Sequence, residues 1–334
     1  MVHLRIVTPA ARTDEVVHLL RCADAVGNLV VLRGAAVVPA GDLVLADAAR
    51  EDASVLIDEL RSLGIDECGS ISLEDVETAI GVGARSAERA AEGEIADAVL
   101  WEQVVERTSE ESTLSWTFLA FIVLAACIAV AGILTDSPIL IVGAMVVGPE
   151  FGPLAGVCVG LVQREPALAG RSLTALAVGF PAAIGAAYVL SEIIFATGID
   201  PPNFSPHQGI AYLIASPDKY SILVAFCAGT AGMLSLSTAK SGALIGVLIS
   251  VTTIPAAAEV GLAAARSDWD SLGGAAAQLG VNVTTILVAG TLTLALQRLA
   301  YHRRRERVQR RLAARGAEQA QTAADQRPAG APQR

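Results

Sequence analysis

Six apolar stretches constrain this chain more than any other feature: residues 116–134, 138–162, 173–196, 220–236, 243–264 and 275–296. Each is nearly free of charge, and a bilayer core takes about twenty apolar residues per helix. A soluble core explains one such run but not six. The chain therefore reads as an α-helical polytopic membrane protein with six transmembrane helices.

Charge is partitioned around that middle. Residues 1–115 hold 22 acidic and 9 basic side chains, while residues 298–315 hold eight Arg against one Glu. An acidic head, a lipid-embedded centre and a basic tail follow. Residues 1–20 lack the basic leader and apolar core of a signal peptide, so the head is expected to stay on the side of synthesis. Orientation comes from where the cations fall. Arg164, Arg171, Lys240 and the tail arginines from Arg303 to Arg311 share the head's side, and Asp136, Asp200 and Asp218 lie opposite. Both termini are expected in the cytoplasm, with the chain multi-pass in the inner (plasma) membrane. The tail is expected to meet anionic lipid rather than nucleic acid, because it follows directly on a span.

Four divisions result: a soluble domain at 1–80, a polar helical connector at 81–115, the membrane domain at 116–297, and a basic helix with a disordered tail at 298–334. Within the head, residues 3–7, 28–32, 43–45 and 68–73 alternate as strands, and 13–22 and 52–63 carry helical stripes. The order β-α-β-β-α-β predicts an α+β ferredoxin-like cytoplasmic domain. The five Cys form no Cys-x-x-Cys and the four His are scattered, so neither a disulfide framework, a metal nor a cofactor is expected.

Two spans carry the polar positions. The second reads Gly143-Ala-Met-Val-Val-Gly-Pro-Glu-Phe-Gly-Pro-Leu-Ala-Gly156. Pro149 and Pro153 each remove a backbone donor, so the helix is expected to break there and restart at Pro153. Gly148, Gly152, Gly156 and Gly160 recur every four residues and predict a strip for close helix contact. Glu150 falls at mid-span, where a carboxylate is costly unless paired, hydrated or protonated. The fifth span supplies Thr252, Thr253, Pro255 and Glu259, the last expected close enough to the surface to find water. The sixth supplies Asn282, which lines a polar cavity or bonds a neighbouring helix. Pro and Glu in the middle span of each half suggest a 3+3 inverted repeat with its site at broken midplane helices.

Ile141-Val-Gly-Ala-Met-Val-Val-Gly-Pro149, Ala228-Gly-Thr-Ala-Gly232, Gly246 through Pro255 and Leu279-Gly-Val-Asn282 together resemble a bacterial membrane family. It is the one known as domain of unknown function 389, and the likeness covers about residues 115–300. Family members tend to place an apolar residue after the first of these prolines, where this chain has Glu150, and often Pro-Pro where it has Pro255-Ala256. The resemblance brings no activity with it.

Function is therefore argued from residues. The expectation is a secondary transporter or channel for a small solute or ion, with its site at Pro149, Glu150, Gly152, Pro153, Thr252, Thr253, Pro255, Glu259 and Asn282, and with a regulatory head. The alternative is a membrane-anchored sensor or scaffold whose head binds a ligand or partner. No His-Glu-x-x-His, Gly-x-Ser-x-Gly or paired aspartates are present, so an enzyme is not expected. The expected partners are the bilayer, an unidentified solute or ion and, as a candidate, a second copy of the chain.

Overall fold

The computed structural model describes residues 1–76, 79, 81–91, 99–199, 201, 209–216, 218–238 and 252–325. They fall into two compact units, one of Met1–Trp101 with Leu299–Arg334 and the other of Glu102–Arg298.

In the first unit, alternation sets the sheet. Val2, Leu4, Ile6 and Thr8 of β1 (Val2–Thr8) face inward and are wholly buried, whereas Arg5 is exposed. After α1 (Thr13–Cys22), the strands β2 (Val26–Val37) and β3 (Ala40–Ala48) form a hairpin that leads to α2 (Arg50–Ser62). Gly64, at φ +70°, takes the left-handed position that ends α2. A helical turn, α3 (Ile65–Cys68), follows and buries Ile65. The last strand, β4, therefore spans Ser70–Asp75 and starts two residues later than its alternation suggested. All pairings are antiparallel, in the order β2-β3-β1-β4. Leu4 opposite Ala46 and Ile6 opposite Val44 pack with Val16, Leu20, Leu56, Ile57 and Leu60 in one core. Burial of each large aliphatic side chain contributes about 1.5–3 kcal/mol. The connector holds α4 (Val82–Ala90) and α5 (Trp101–Glu111).

The final helix brings the basic tail into this unit. From Leu299 onward, Arg304 Nε donates to Asp52 Oδ1 at 2.9 Å, Arg305 pairs with Asp58 at 3.2 Å, and Arg315 pairs with Asp24. Tyr301 Oη donates to Asp58 Oδ2 at 2.9 Å, and Gln309 Nε2 to Glu59 Oε1 at 2.6 Å. The Tyr301 ring meets Trp101 edge-on, and Leu312 packs on the core. Three arginines that the charge pattern assigned to lipid are thus held by acids of the head, while Arg303 and Arg310 remain exposed.

The second unit holds most of α5 and then α6 (Trp116–Leu134), α7 (Pro138–Val147), α8 (Phe151–Gln163), α9 (Pro166–Thr197), α10 (Gly209–Ala215), α11 (Lys219–Ser237), α12 (Thr253–Ala265) and the part of α13 (Trp269–Asp325) up to Arg298, with no strand among its described residues. α6, α9, α11 and α13 are each long and apolar enough to cross a bilayer. α7 and α8 make a fifth crossing if taken as one span, bent by 48°. α12 is a shorter apolar helix, and residues 243–251 of the expected fifth span lie outside the described residues. Six crossings are therefore not counted among the described residues.

Small residues let these helices close on one another. Ala125, Ala126 and Ala129 of α6 are fully buried. A Cβ on Gly261 of α12 would lie 2.5 Å from the Ile184 carbonyl oxygen of α9. Outward, Leu173, Val178, Val189 and Ile193 of α9 are exposed, as lipid-facing side chains are. Trp116, Tyr220 and Trp269 stand exposed at helix starts, where aromatic rings favour the membrane–water boundary. α9 runs unbroken past Pro181 and extends beyond the stretch expected for the third span.

Replacing Arg304 with Ala strands the largely buried Asp52 carboxylate. It should cost about 2 kcal/mol, between the values for exposed and buried ion pairs, read by urea-dependent proteolysis of the head in detergent-purified full chain. Burial pushes the Glu51 carboxyl above the usual glutamate range, more than Arg304 draws it down. Its ionisation therefore opposes folding once pH rises past the ordinary glutamate value. Glu51→Gln should make the head more resistant than wild type at pH 7, with the difference closing as pH falls through that range.

Candidate functional site at two helix starts

The break in the second span lies at Gly148–Glu150. A residue before proline is disfavoured in the helical region, and Gly148 accordingly turns extended (φ −64°, ψ 128°). α7 therefore stops at Val147, Glu150 regains helical angles, and α8 starts at Phe151. Pro153 does not restart the helix as expected. It is the third residue of α8, in the first turn, where backbone N–H groups have no intrahelical acceptor. Pro255 occupies the same third position in α12, so it too lies in a first turn and not in mid-helix. The two short helices thus correspond through Pro153 and Pro255, which sets Glu150 against Thr252. The sequence had paired Glu150 with Glu259.

These two helix starts meet. Glu150 is 3% exposed, and Thr253, the first residue of α12, donates its hydroxyl to Glu150 Oε1 at 2.7 Å. Oε2 has no hydrogen-bond partner and lies 2.4 Å from where a Cβ on Gly148 would be. The carboxyl group occupies space that any side chain at position 148 would fill. That Cβ would also lie 2.7 Å from Ile254 Cγ1, so Gly148 permits the approach of α12 as well.

Next to this pair, Asn282 of α13 donates Nδ2 to Thr252 Oγ1 at 2.7 Å and, at 3.4 Å, to the Thr252 carbonyl. Gln278, one turn earlier, donates Nε2 to Asn282 Oδ1 at 3.1 Å, and its own Oε1 is buried without a partner. Thr252 and Asn282 form part of the wall of a cavity of about 260 Å³, together with Ser216, Asp218, Tyr220 and Ser221. Asp218 there caps α11, accepting from the Ser221 backbone and hydroxyl at 2.7 and 2.8 Å. Those two bonds hold its carboxyl below the usual aspartate range.

The remaining glycines of the expected strip act after the break. A Cβ on Gly152 would lie 2.7 Å from Glu111 Cβ, one on Gly156 2.2 Å from Ser112 Oγ and 2.3 Å from Ser172 Oγ, and one on Gly160 2.7 Å from the Ala169 backbone nitrogen. Ser112 Oγ also donates to the Gly152 carbonyl at 3.2 Å. Gly148 stands apart from this strip because the bend takes it out of the helix.

The structure therefore brings Glu150, Thr252, Thr253 and Asn282 into one neighbourhood, with Pro149, Gly152, Pro153 and Pro255 shaping its backbone. Glu259 sits six residues into α12, at 1% exposure and with Oε2 unpartnered. It is buried, not near water as expected. Gln278, Ser112 and Ser172 escaped the sequence reading, since a lone Gln or Ser in an apolar helix carries no periodic signal. No group of three or more His, Cys, Asp or Glu among the described residues is placed to hold a metal.

Long apolar helices around a buried polar junction define a membrane-embedded helical protein. The family “Domain of unknown function (DUF389)” matches residues 145–288, a stretch that contains every residue of the junction, and this shows the resemblance read from the sequence. An uncharacterized protein of Methanocaldococcus jannaschii is 26% identical over 171 residues. That similarity covers 51% of this chain and 51% of the relative, so the chain spans about half the length of the curated relative it matches. No solved structure matches.

Thr253→Val removes the hydrogen bond that, among the described residues, a neighbouring side chain makes to the buried Glu150 carboxyl. It should cost about 1–3 kcal/mol in unfolding of the detergent-solubilised chain, and Thr253→Ser should restore most of the loss.

Proposed function

We propose that the membrane unit is a secondary transporter or channel for a small solute or ion, with its site where α8 and α12 begin. The observation that carries this reading is the Glu150–Thr253 hydrogen bond between the starts of two helices. An uninterrupted helix satisfies its backbone internally, and lipid offers no replacement partners, so irregular backbone at membrane depth is tolerated where it is buried in protein or lines a cavity. Transporters use such half-helix starts to hold polar cargo. The cavity against Thr252 and Asn282 supports the reading, because it brings a polar wall next to the junction.

In this proposal the chain crosses the inner (plasma) membrane six times as a 3+3 inverted repeat. The matching third-position prolines of α8 and α12 support that arrangement. Both termini are cytoplasmic, as the distribution of arginines favours. The ferredoxin-like head, with its own core and its strand order, regulates the membrane unit and catalyses no covalent chemistry.

Purified full-length protein in liposomes should move at least one solute from a panel of Na⁺, H⁺, chloride, formate and amino acids. Glu150→Gln, which preserves an acceptor for Thr253 but removes the charge, should lower that flux by about tenfold or more, a loss of about 1.4 kcal/mol. Equal flux of every solute in the two proteins removes the carboxylate from the mechanism.

A further inference from the structure

We propose that the ion handled at this junction is the proton, and that the Glu150 carboxyl carries it. The inference rests on the transport reading and specifies its ion.

What the junction lacks is a hydrogen-bond donor. Thr253 uses its hydroxyl on Glu150 Oε1, Asn282 uses Nδ2 on Thr252, and Gln278 uses Nε2 on Asn282. The buried side-chain atoms left unmet here, Glu150 Oε2 and Gln278 Oε1, are both oxygens. Glu150 stands at the N-cap of α8, yet its side chain makes no capping bond to that helix. Oε2 turns back instead against Gly148, the residue that follows α7, into the space a Cβ there would fill. The last carbonyls of a helix have no donor within it, and Pro149 has no N–H to offer the Met145 carbonyl four residues earlier. Such a helix end carries partial negative charge. An ionised carboxylate is costly in this dry setting unless a proton or a cation joins it. One added proton turns Oε2 from an acceptor into the missing donor. A metal cation takes several oxygen ligands together, whereas Glu150 brings one open oxygen and its neighbour Thr253 is already engaged.

Nothing basic competes for the group. Among the described residues no Lys, Arg or His pairs with Glu150. Of the helices around it, α6, α7 and α8 contain no charged residue. α9 contributes Glu192 and Arg171, whose guanidinium donates to Ser109 Oγ at 2.7 Å. α12 contributes Glu259, buried with its own Oε2 unmet, and α13 as far as Gln297 contributes Asp270 in its first turn. Exposed acids stand on both approaches. Glu111, with Arg107 and Glu110 near it, adjoins Gly152 in the first turn of α8. Asp218 lines the cavity that reaches Thr252, the residue beside Thr253. In the topology proposed above, Glu111 lies on the cytoplasmic approach and Asp218 on the opposite one. The step is a proton transfer: hydronium on one side gives H⁺ to Oε2 and becomes water, and Oε2 returns it to water on the other.

Infrared difference spectroscopy of the full-length protein in detergent reads this proton through the carbonyl stretch of a protonated carboxyl. Wild type minus Glu150→Gln should show that band at neutral pH, shifted in D2O and lost on alkalinisation. Glu150→Asp should move the band without removing it, so wild type minus Glu150→Asp decides the matter if Glu150→Gln does not fold. Absence of a Glu150 band at every pH, or its loss when sodium replaces choline at fixed pH, overturns the proposal. Liposomes separate this claim from transport itself. With a trapped pH-sensitive dye, an imposed pH gradient should dissipate faster through wild type than through Glu150→Gln. A Glu150 band without flux of any solute or proton removes transport and keeps the proton site. Flux of another solute that neither moves protons nor responds to the pH gradient removes the proton assignment and keeps transport.

Discussion

The hydrogen bond from Thr253 to Glu150 is the contact on which the organisation of the membrane unit turns. It exists because two helices begin at the same place. Pro149 drives Gly148 out of helical angles, so α7 ends and α8 restarts at a 48° bend. α12 starts at Thr253, opposite that restart. Each start presents N–H groups that lack intrahelical acceptors, and in an apolar surrounding such groups demand polar company. Glu150 places its carboxyl beside both starts, and the Thr253 hydroxyl meets one of its oxygens. A proline in the third position of each helix lowers the number of orphan donors without disturbing the turns that follow.

Packing then depends on the absence of side chains. Gly148 makes room for the carboxyl, Gly152 and Gly156 admit the end of α5 and its continuation at Ser112, and Gly160 admits the start of α9. Gly261 does the same for α12 against α9. Between helices in lipid there is little hydrophobic driving force, so association relies on close contact and hydrogen bonds. The glycine and alanine positions provide the first, and Thr253, Asn282 and Ser112 the second.

The head obeys the different rules of a water-soluble unit. Its core forms from strand and helix alternation, and its acidic surface is in part neutralised by Arg304, Arg305 and Arg315 of the last helix. An ion pair between partly shielded groups is worth more than one in open solvent, and Tyr301 against Trp101 and Leu312 against the core add apolar contact. Arginines that make the tail basic thus carry a structural role within the head.

The sequence by itself determined the division into an acidic head, an apolar middle and a basic tail, because charge and hydropathy are sums over local residues and need no partner. It also determined the order of elements in the head and the break near Pro149, since alternation and a missing backbone donor act within a few residues. Tertiary structure alone decided the rest. Proline–proline spacing could not reveal that Pro153 and Pro255 sit in first turns, because that depends on where each helix starts. Glu259 is buried by its packing neighbours and not by its depth along the chain, and Gln278 joins the junction through Asn282. Glu150 and Thr253 are 103 residues apart, and only folding brings a carboxyl and a hydroxyl so far separated in the chain to 2.7 Å.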